Sequence, residues 1–352
     1  MSAAAGSVQS STNLFRRLAW NSSVPIEVRL ADDVAGGAVD KYYTQAPRYT
    51  YLPLLLQGVR EQLVDVALDD KALAEHSDDS QWWFEEDPGD SEESNVKFAL
   101  QGPCKWHWPI DLIELHAAIS RTGRRGAEAE PDAPPSPLKL ILHLSSPPAD
   151  KLAVPPGIES CRTQFVSQVK EADFVRWGNT KRVTGLRRGD LEAGWEGVVA
   201  NDFDLHARMA SRVVPLPIPL PPANTAQQAT PSGITSRPPS TEPGQTSSRE
   251  PKLESAYAAR SLPIKVYLPD GAPALQFPVP SLGNDGRPTT LLSLLRTHLP
   301  LLFPTVAEPY VLAQPLAQGI ILPPDAEAAW LAACMAGADG WLRIGIRIVG
   351  EA

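Results

Sequence analysis

The sequence predicts an α+β protein in which two small domains of mixed strands and helices flank a helix-rich one, with a short helix at the N-terminus. Three observations predict this class: one order of strands and helices occurs twice, helical periodicity fills the stretch between the copies, and a proline-rich segment follows that stretch. A chain of 352 residues also exceeds one typical core. A strand pair, a crossing helix and a late central strand are the order of the ubiquitin-like β-grasp fold.

The first copy of this order is predicted over residues 22–148. Val24, Ile26, Val28 and Leu30 alternate with polar or small residues, which is the period of a half-buried strand. The other predicted elements of this copy are an extended run at Tyr42–Tyr51, a helix with Leu55, Val59, Leu63 and Val66, strands at Trp82–Phe84 and Val96–Leu100, a helix with Leu112, Leu115 and Ile119, and a strand of alternating leucines at Leu138–Leu144.

The same order recurs over residues 260–352. It starts with the alternation of Ile264, Val266 and Leu268, which predicts another half-buried strand. The later predicted elements are an extended segment near Phe277 and Val279, a helix with Leu291, Leu292 and Leu295, short strands at Tyr310–Leu312 and Ile320–Leu322, a helix with Ala328, Leu331 and Cys334, and a final strand at Leu342–Ile348. We therefore expect a second domain of the same fold.

Residues 149–214, between the two copies, are predicted to be helical. One helix carries an apolar stripe of four residues, and a second carries another of three; these residues are Cys161, Phe165, Val169 and Ala172, then Leu205, Met209 and Val213. Two short amphipathic helices cannot bury their apolar faces alone. This helix-rich domain should therefore pack against one or both sheet domains.

Residues 1–21 are predicted to form an N-terminal segment with a short helix. Leu14, Phe15 and Leu18 recur at helical spacing, and two arginines lie on the other face. We expect this apolar face to dock the helix on the first domain. A helix that lies on a membrane surface is the alternative.

Residues 215–259 are predicted to be a disordered linker. The stretch from Pro215 to Pro251 holds ten of the 36 prolines, together with Ser, Thr, Gln and Gly. Its opening contains Pro219-x-x-Pro222, a pattern that proline-binding modules recognise. A spacer is the plainer interpretation, and a signalling adaptor that uses this motif is the alternative function.

Composition excludes several classes of protein. The formal net charge of -9 and the absence of a dominant Lys/Arg cluster argue against nucleic-acid binding. No apolar run is long enough to span a membrane, so a cytoplasmic location is expected. Cys104, Cys161 and Cys334 are scattered, which predicts buried thiols rather than a disulfide framework or a metal site. No cofactor is expected, because no phosphate-binding glycine loop occurs.

Three motifs in order resemble those of the autophagy protein 5 family: Trp82–Phe84, the Cys-Lys-Trp-His-Trp-Pro-Ile run at Cys104–Ile110, and Lys-Glu-Ala-Asp at Lys170–Asp173. The resemblance also covers Leu14–Trp20, Trp195–Phe203 and Leu342–Ile348. This chain departs from the family in an acidic insertion between Glu85 and Asn95, in the loop from Arg121 to Pro137 and in the long proline linker.

The resemblance implies two ubiquitin-like domains around a helix-rich one, and a lysine joined by an isopeptide bond to the C-terminal glycine of the modifier autophagy protein 12. It implies that the conjugate binds an N-terminal helix of autophagy protein 16. Through the conjugating enzyme autophagy protein 3, the complex promotes transfer of autophagy protein 8 to phosphatidylethanolamine during autophagosome formation. Such a protein is a scaffold without catalysis of its own, located in the cytoplasm and peripherally at the phagophore membrane.

The acceptor implied by the resemblance is Lys170. This lysine follows Val169 at the edge of the apolar stripe, so its stem can lie along the helix while its amine reaches solvent. Isopeptide formation needs an accessible primary amine that reaches a thioester. The acidic neighbours Glu171 and Asp173 should favour the protonated form of the amine, so we expect its activation to come from the conjugating enzyme.

The aromatic run Trp106, His107 and Trp108 precedes a proline and a predicted helix. Bulky aromatic residues at such a junction favour packing within or between domains over a chemical site. A thiol–imidazole pair of Cys104 and His107 would make the chain a thiol hydrolase or transferase. A separation of three residues in one extended segment is poor geometry for that pair.

Overall fold

Two four-stranded sheets hold the strands of the described chain, which in this computed structural model comprises residues 2–32, 41–87, 104–120, 136–219, 254–269, 271–306 and 308–349. The first sheet is formed by β1 (Ser23–Leu30), β2 (Lys41–Pro47), β3 (Trp83–Glu86) and β4 (Leu138–His143), in the order β2-β1-β4-β3. The central strands β1 and β4 are parallel, and β2 and β3 flank them antiparallel. This is the β-grasp arrangement that the sequence predicts.

Helices cover one face of the first sheet. They are α2 (Leu52–Val59), continued by a π-helical turn (Arg60–Val64) and α3 (Asp65–Ala67), then α4 (Asp70–Glu75) and α5 (Ile110–Ser120). A short 3-10 turn (Asp79–Gln81) precedes β3. The inward residues of the strands pack with these helices into one core that includes Ile26, Leu63, Trp82, Phe84, Trp106, Ile113 and Leu140. The predicted strand at Val96–Leu100 lies outside the described residues.

The second sheet has the same parallel centre. Its strands are β5 (Ile264–Tyr267), β6 (Ala313–Ala317), β7 (Ile320–Ile321) and β8 (Leu342–Ile348), in the order β5-β8-β6-β7. The pair β5 and β8 is parallel, and β6 is antiparallel to β7 and β8. Two helices, α11 (Leu291–His298) and α12 (Ala328–Cys334), pack on it. The predicted α+β class is confirmed.

One strand prediction in the second domain was wrong in detail. The extended segment near Phe277 and Val279 lies outside the named strands, and a bridge joins Leu275, just before it, to Val266 on β5. The strand expected at Tyr310–Leu312 begins instead at Ala313, because Tyr310 has a φ of 68°, a left-handed conformation that an extended strand excludes.

The helical region between the sheets contains α6 (Ala149–Leu152), α7 (Ile158–Trp177), α8 (Lys181–Thr184), α9 (Arg188–Ala200) and α10 (Phe203–Val213). All four residues of the predicted stripe on α7 are buried. The carboxylate of Asp202 caps α10 by accepting from the backbone N–H of Asp204 and Leu205 at 2.9 and 3.0 Å. Helices α9 and α10 approach closely at Gly197, where a Cβ would lie 2.5 Å from the backbone nitrogen of His206.

The N-terminal helix α1 spans Ser2–Trp20, and the prediction of its docking face was wrong. Leu14, Phe15 and Leu18 are 58%, 44% and 59% exposed. The helix is held instead by Arg16, whose guanidinium donates to the carbonyl oxygen of Ala333 at 2.8 Å, near the C-terminus of α12, and to that of Pro215 at 3.1 Å, just after α10. Carbonyls at helix C-termini attract a cation, so α1 lies on the second domain and the helical region.

The predicted linker includes ordered residues at both of its ends. Leu216 forms a parallel bridge with Ser255, and Tyr257 is buried in the core of the second domain. Residues 220–253, which include Pro222 of the proline motif and most of the predicted linker, lie outside the described residues.

Candidate functional site

Lys170 is exposed in the middle of α7, next to the buried Val169. Among the described residues, no hydrogen bond or ion pair engages its amine. The two acidic residues beside it are occupied elsewhere: Glu171 pairs with Lys265 at 3.1 Å, and the carboxylate of Asp173 is fully buried. Neither carboxylate bonds to the Lys170 amine within the described chain. The geometry leaves Lys170 as a free primary amine on a helix surface.

Asp173 of the Lys-Glu-Ala-Asp motif has a structural position. It accepts a hydrogen bond from the backbone N–H of Val183 in α8 at 3.4 Å, and its other carboxylate oxygen has no partner in the described chain. Burial raises the pKa of Asp173. Arg176, one turn further on, donates to the carbonyl of Gly340, and burial lowers its pKa to about 9. The motif thus combines the exposed Lys170 with the buried Asp173, which bonds α7 to α8.

The second domain holds α7 at the level of Lys170. The indole N–H of Trp341 donates to the carbonyl oxygen of Gln168 at 3.1 Å, and the Lys265 amine donates to the Gln168 side-chain oxygen at 2.8 Å. The same amine lies 4.0 Å from the centre of the Trp341 ring. Because these contacts come from β5 and from the residue preceding β8, α7 is fixed against the second sheet.

Trp106 lies in the core of the first domain. Its side chain is 1% exposed, and its ring meets Phe84 edge-on at 6.0 Å. Its carbonyl oxygen accepts from the Cys161 thiol of α7 at 3.1 Å. The backbone of Trp106 therefore joins the first domain to the helix that carries Lys170.

Trp108 lies between the two sheet domains. It stacks on His116 of α5 with ring centres 4.8 Å apart, and His116 meets Tyr267 of β5 edge-on at 5.1 Å. Burial lowers the pKa of His116 to about 4, so this histidine is neutral at physiological pH. The middle residue of the run, His107, is half-buried, and its pKa is lowered by burial and by the nearby Lys105.

The interface between the sheet domains requires a glycine at position 345. A Cβ there would lie 2.7 Å from side-chain atoms of both Leu115 and Ile119, because α5 of the first domain packs directly on β8. A buried ion pair joins Asp111 of the same helix α5 to Arg48 at 2.9 Å. Sequence reasoning placed Leu115 and Ile119 on a helix but missed Gly345, Arg48 and Asp111, because the partner of each lies far along the chain.

The three cysteines offer no activated nucleophile. Burial raises the pKa of the Cys104 thiol, raises that of Cys161 to about 12 and raises that of Cys334 to about 11. In the described chain, no hydrogen bond joins the His107 imidazole to the Cys104 thiol. Because the thiolate is the reactive form of cysteine, thiols with a raised pKa are poor nucleophiles. Among the described residues, no group of His, Cys, Asp or Glu has the arrangement of a metal site.

A second exposed feature is an apolar stripe on α1, which we define as Leu14, Phe15 and Leu18. The Phe15 ring meets Trp330 of α12 edge-on at 5.1 Å, so the stripe continues onto the second domain. Behind the stripe, a small cavity of about 50 Å³ lies between α1, α10 and the residues after α12, and Arg16, Trp20 and His206 line it. None of the described helices is long and apolar enough to cross a membrane.

Three family models match the chain in order and cover most of it. They are described as the UblA domain of Autophagy protein ATG5 at residues 19–144, its alpha-helical bundle region at residues 158–216 and its UblB domain at residues 261–346. The chain belongs to the autophagy protein 5 family. The two sheet domains correspond to UblA and UblB, and the region between them to the helical bundle.

Curated relatives match this chain over nearly its whole length. It is 27% identical to Autophagy protein 5 of Penicillium rubens over 347 residues, which are 95% of this chain and 97% of the relative. Autophagy protein 5 of Aspergillus oryzae is 28% identical over 379 residues, with 97% and 99% of the two chains covered. These relatives are autophagy proteins, which assigns this chain a role in autophagy.

A solved structure has the same fold. The crystal structure of Kluyveromyces marxianus Atg5 superposes with a TM-score of 0.62 at 17% sequence identity, and the match covers 95% of this chain and 99% of the other. The fold of two ubiquitin-like domains around a helical bundle is therefore confirmed.

Proposed function

We propose that this chain is a non-catalytic scaffold of the autophagy conjugation machinery and that Lys170 accepts the modifier autophagy protein 12 through an isopeptide bond. The observation that carries the proposal is the state of Lys170: an exposed amine whose acidic neighbours are paired or buried, on a helix that the second domain holds in place. A thioester presented by a conjugating enzyme finds this amine unobstructed.

The chemistry requires little of the scaffold. The Lys170 amine loses a proton and attacks the thioester carbonyl carbon of the modifier, a C–N bond forms, the C–S bond breaks, and the enzyme's cysteine leaves as a thiolate. Glu171 is engaged by Lys265 and Asp173 is buried, so neither is placed to take the proton. Proton removal therefore belongs to the conjugating enzyme, and this chain supplies position.

The apolar stripe on α1 is the surface we assign to the helix of autophagy protein 16. Leu14 and Leu18 are four residues apart and both more than half exposed, and Phe15 extends the surface to Trp330. A partner helix with aliphatic residues at helical spacing can bury such a stripe. The stripe is exposed because Arg16 and Trp20, rather than the leucines, hold α1 in place.

Changing Leu18 to aspartate should weaken binding of a helical peptide from autophagy protein 16 by at least about tenfold, because burial of a leucine is worth about 1.5–3 kcal/mol and the new charge must be desolvated. Isothermal titration calorimetry measures the affinity. Leu301→Asp is the matched control, since Leu301 is 87% exposed and follows α11, outside the stripe. Equal affinities for the two variants would contradict the assignment.

In the assembled complex, the conjugate recruits autophagy protein 3 and promotes transfer of autophagy protein 8 to phosphatidylethanolamine. The chain would act in the cytoplasm and peripherally at the phagophore membrane. With a formal net charge of -9 it is poorly suited to bind anionic lipid or nucleic acid by itself. Its partners would then supply the membrane affinity, and no cofactor is needed.

Reconstitution with the modifier and its activating and conjugating enzymes tests the proposed function. We expect one higher-mass product on a denaturing gel, and mass spectrometry of its digest should place the branch at Lys170. Formation of the modifier thioester on the conjugating enzyme, seen on a non-reducing gel, serves as the positive control for the enzymes. A branch at another lysine would contradict the acceptor assignment, and the absence of any product beside a working control would contradict the scaffold function.

A further inference from the structure

Arg16 of α1 is a half-buried cation without a carboxylate partner in the described chain. Its guanidinium donates to the carbonyl oxygens of Ala333, Val214 and Pro215 and to no acidic side chain there. Burial lowers the pKa of Arg16 to about 10. The acidic group that acts on it is the Cys334 thiol, whose pKa burial raises to about 11, so this thiol is neutral at physiological pH. The charge of Arg16 is therefore uncompensated.

A second buried guanidinium adds to this positive charge. Arg176 of α7 is 2% exposed, and Arg16 is close enough to repel it. The carboxylates in this neighbourhood are bonded elsewhere, because Asp339 is paired with Arg343, and Asp173 accepts from a backbone N–H of α8. Within the described chain, neither Arg16 nor Arg176 forms an ion pair.

The cavity beside Arg16 has room for a small ligand. Its volume is about 50 Å³, whereas a single water needs roughly 10–15 Å³. Asn13 and Ser211 also line the cavity, and both are exposed, so it reaches the protein surface. The indole N–H of Trp20, another lining residue, is buried and has no acceptor in the described chain. The cavity therefore has a cation and an unused donor in its walls.

The walls of the cavity define the chemistry of its ligand. A guanidinium binds an oxyanion through charge-assisted N–H···O bonds. The side chains of the lining include no carboxylate, and alanines of α10 and of the segment after α12 make much of the remaining wall apolar, which strengthens the attraction. His206 donates from Nε2 to the carbonyl oxygen of Ala338 at 2.9 Å, and burial lowers its pKa to about 4, so it adds no charge. A small anion fits these walls, and a cation does not.

We propose that this cavity binds a small oxyanion with the chemistry of phosphate, which neutralises Arg16 and joins α1 to α10 and the second domain. The oxygens of the anion accept from the guanidinium of Arg16 and from the indole N–H of Trp20. Arg176 does not line the cavity, and its charge attracts the anion at longer range. The small volume favours the free anion over a larger phosphorylated molecule. Because α1 also carries the apolar stripe, the anion fixes the helix that presents this surface.

Isothermal titration calorimetry of the full chain with sodium phosphate, in a chloride buffer of constant ionic strength, tests the site. Asn13→Asp places a carboxylate of the same shape at the cavity, three residues before Arg16 on the same helix. This fixed charge should weaken phosphate binding at least about tenfold, because it pairs with the guanidinium and repels the anion. Asn284→Asp is the matched control, since Asn284 is exposed in the second domain and does not line the cavity. Its affinity should stay within about twofold of wild type.

Thermal unfolding gives a second readout that does not depend on a variant. Phosphate should raise the unfolding temperature of the wild-type chain above that in sodium chloride of the same ionic strength, because a ligand of the native state stabilises it. An equal effect of chloride would indicate general screening and would overturn the site. Phosphate binding that Asn13→Asp leaves unchanged would place the anion elsewhere, and no binding to wild type would leave water in the cavity; either result contradicts the proposal.

Discussion

Replacing Lys170 by arginine should abolish the conjugate with the modifier completely. Arginine keeps the charge and the long stem, but its guanidinium stays protonated and does not attack a thioester. Because Lys170 is exposed and engages no described residue, the substitution should change the free energy of unfolding by less than about 0.5 kcal/mol. The loss of product would therefore report the missing amine and not a damaged fold.

The measurement is a time course of product on a denaturing gel, together with thermal unfolding of both proteins. Lys181→Arg is the matched control, since Lys181 is exposed and lies on the neighbouring helix α8. The control should form product at the wild-type rate. Product from Lys170→Arg at more than a trace would show that a different amine is the acceptor.

Replacing Asp339 by alanine should destabilise the protein by about 3–5 kcal/mol, which is the usual cost of removing one partner from a buried ion pair. Asp339 and Arg343 are 3% and 6% exposed, and the carboxylate forms a salt bridge with the guanidinium. The Nε of Arg343 has no partner in the described chain, and Asp339 is the charge that most favours the buried cation.

Urea denaturation followed by tryptophan fluorescence measures this loss. Asp325→Ala is the control, because Asp325 is exposed in the same domain, and its free energy of unfolding should stay within about 0.5 kcal/mol of wild type. The double variant Asp339→Ala with Arg343→Met should recover most of the stability, since it removes the buried charge as well. A double variant as unstable as Asp339→Ala would show that Asp339 acts through other contacts.

The fold was predictable because its signals are local. The alternation at Val24–Leu30 and Leu138–Leu144 and the stripe from Cys161 to Ala172 each need only a short window, and the structure has strands and a helix there. The docking of α1 was not predictable in this way. Arg16 binds carbonyl oxygens of residues 199 and 317 positions away, and the apolar residues that suggested the docking face are the exposed ones.

The candidate site was predictable only in part, for the same reason. The place of Lys170 at the edge of an apolar stripe is visible in the sequence, and the structure shows it exposed. The state of its neighbours is not visible, because Glu171 is engaged by Lys265, which is 94 positions away, and Asp173 is buried under α8.

The residues that hold α7 in place are synthesised after α7 itself. Trp341 and Lys265, which hold α7 beside Lys170, are translated well after the helix itself. A nascent chain that has released Lys170 from the ribosome still lacks β8, the strand at the centre of the second sheet. Domains fold as units while synthesis proceeds. An incomplete chain therefore carries the lysine without the surface that positions it, and truncated products would make poor acceptors.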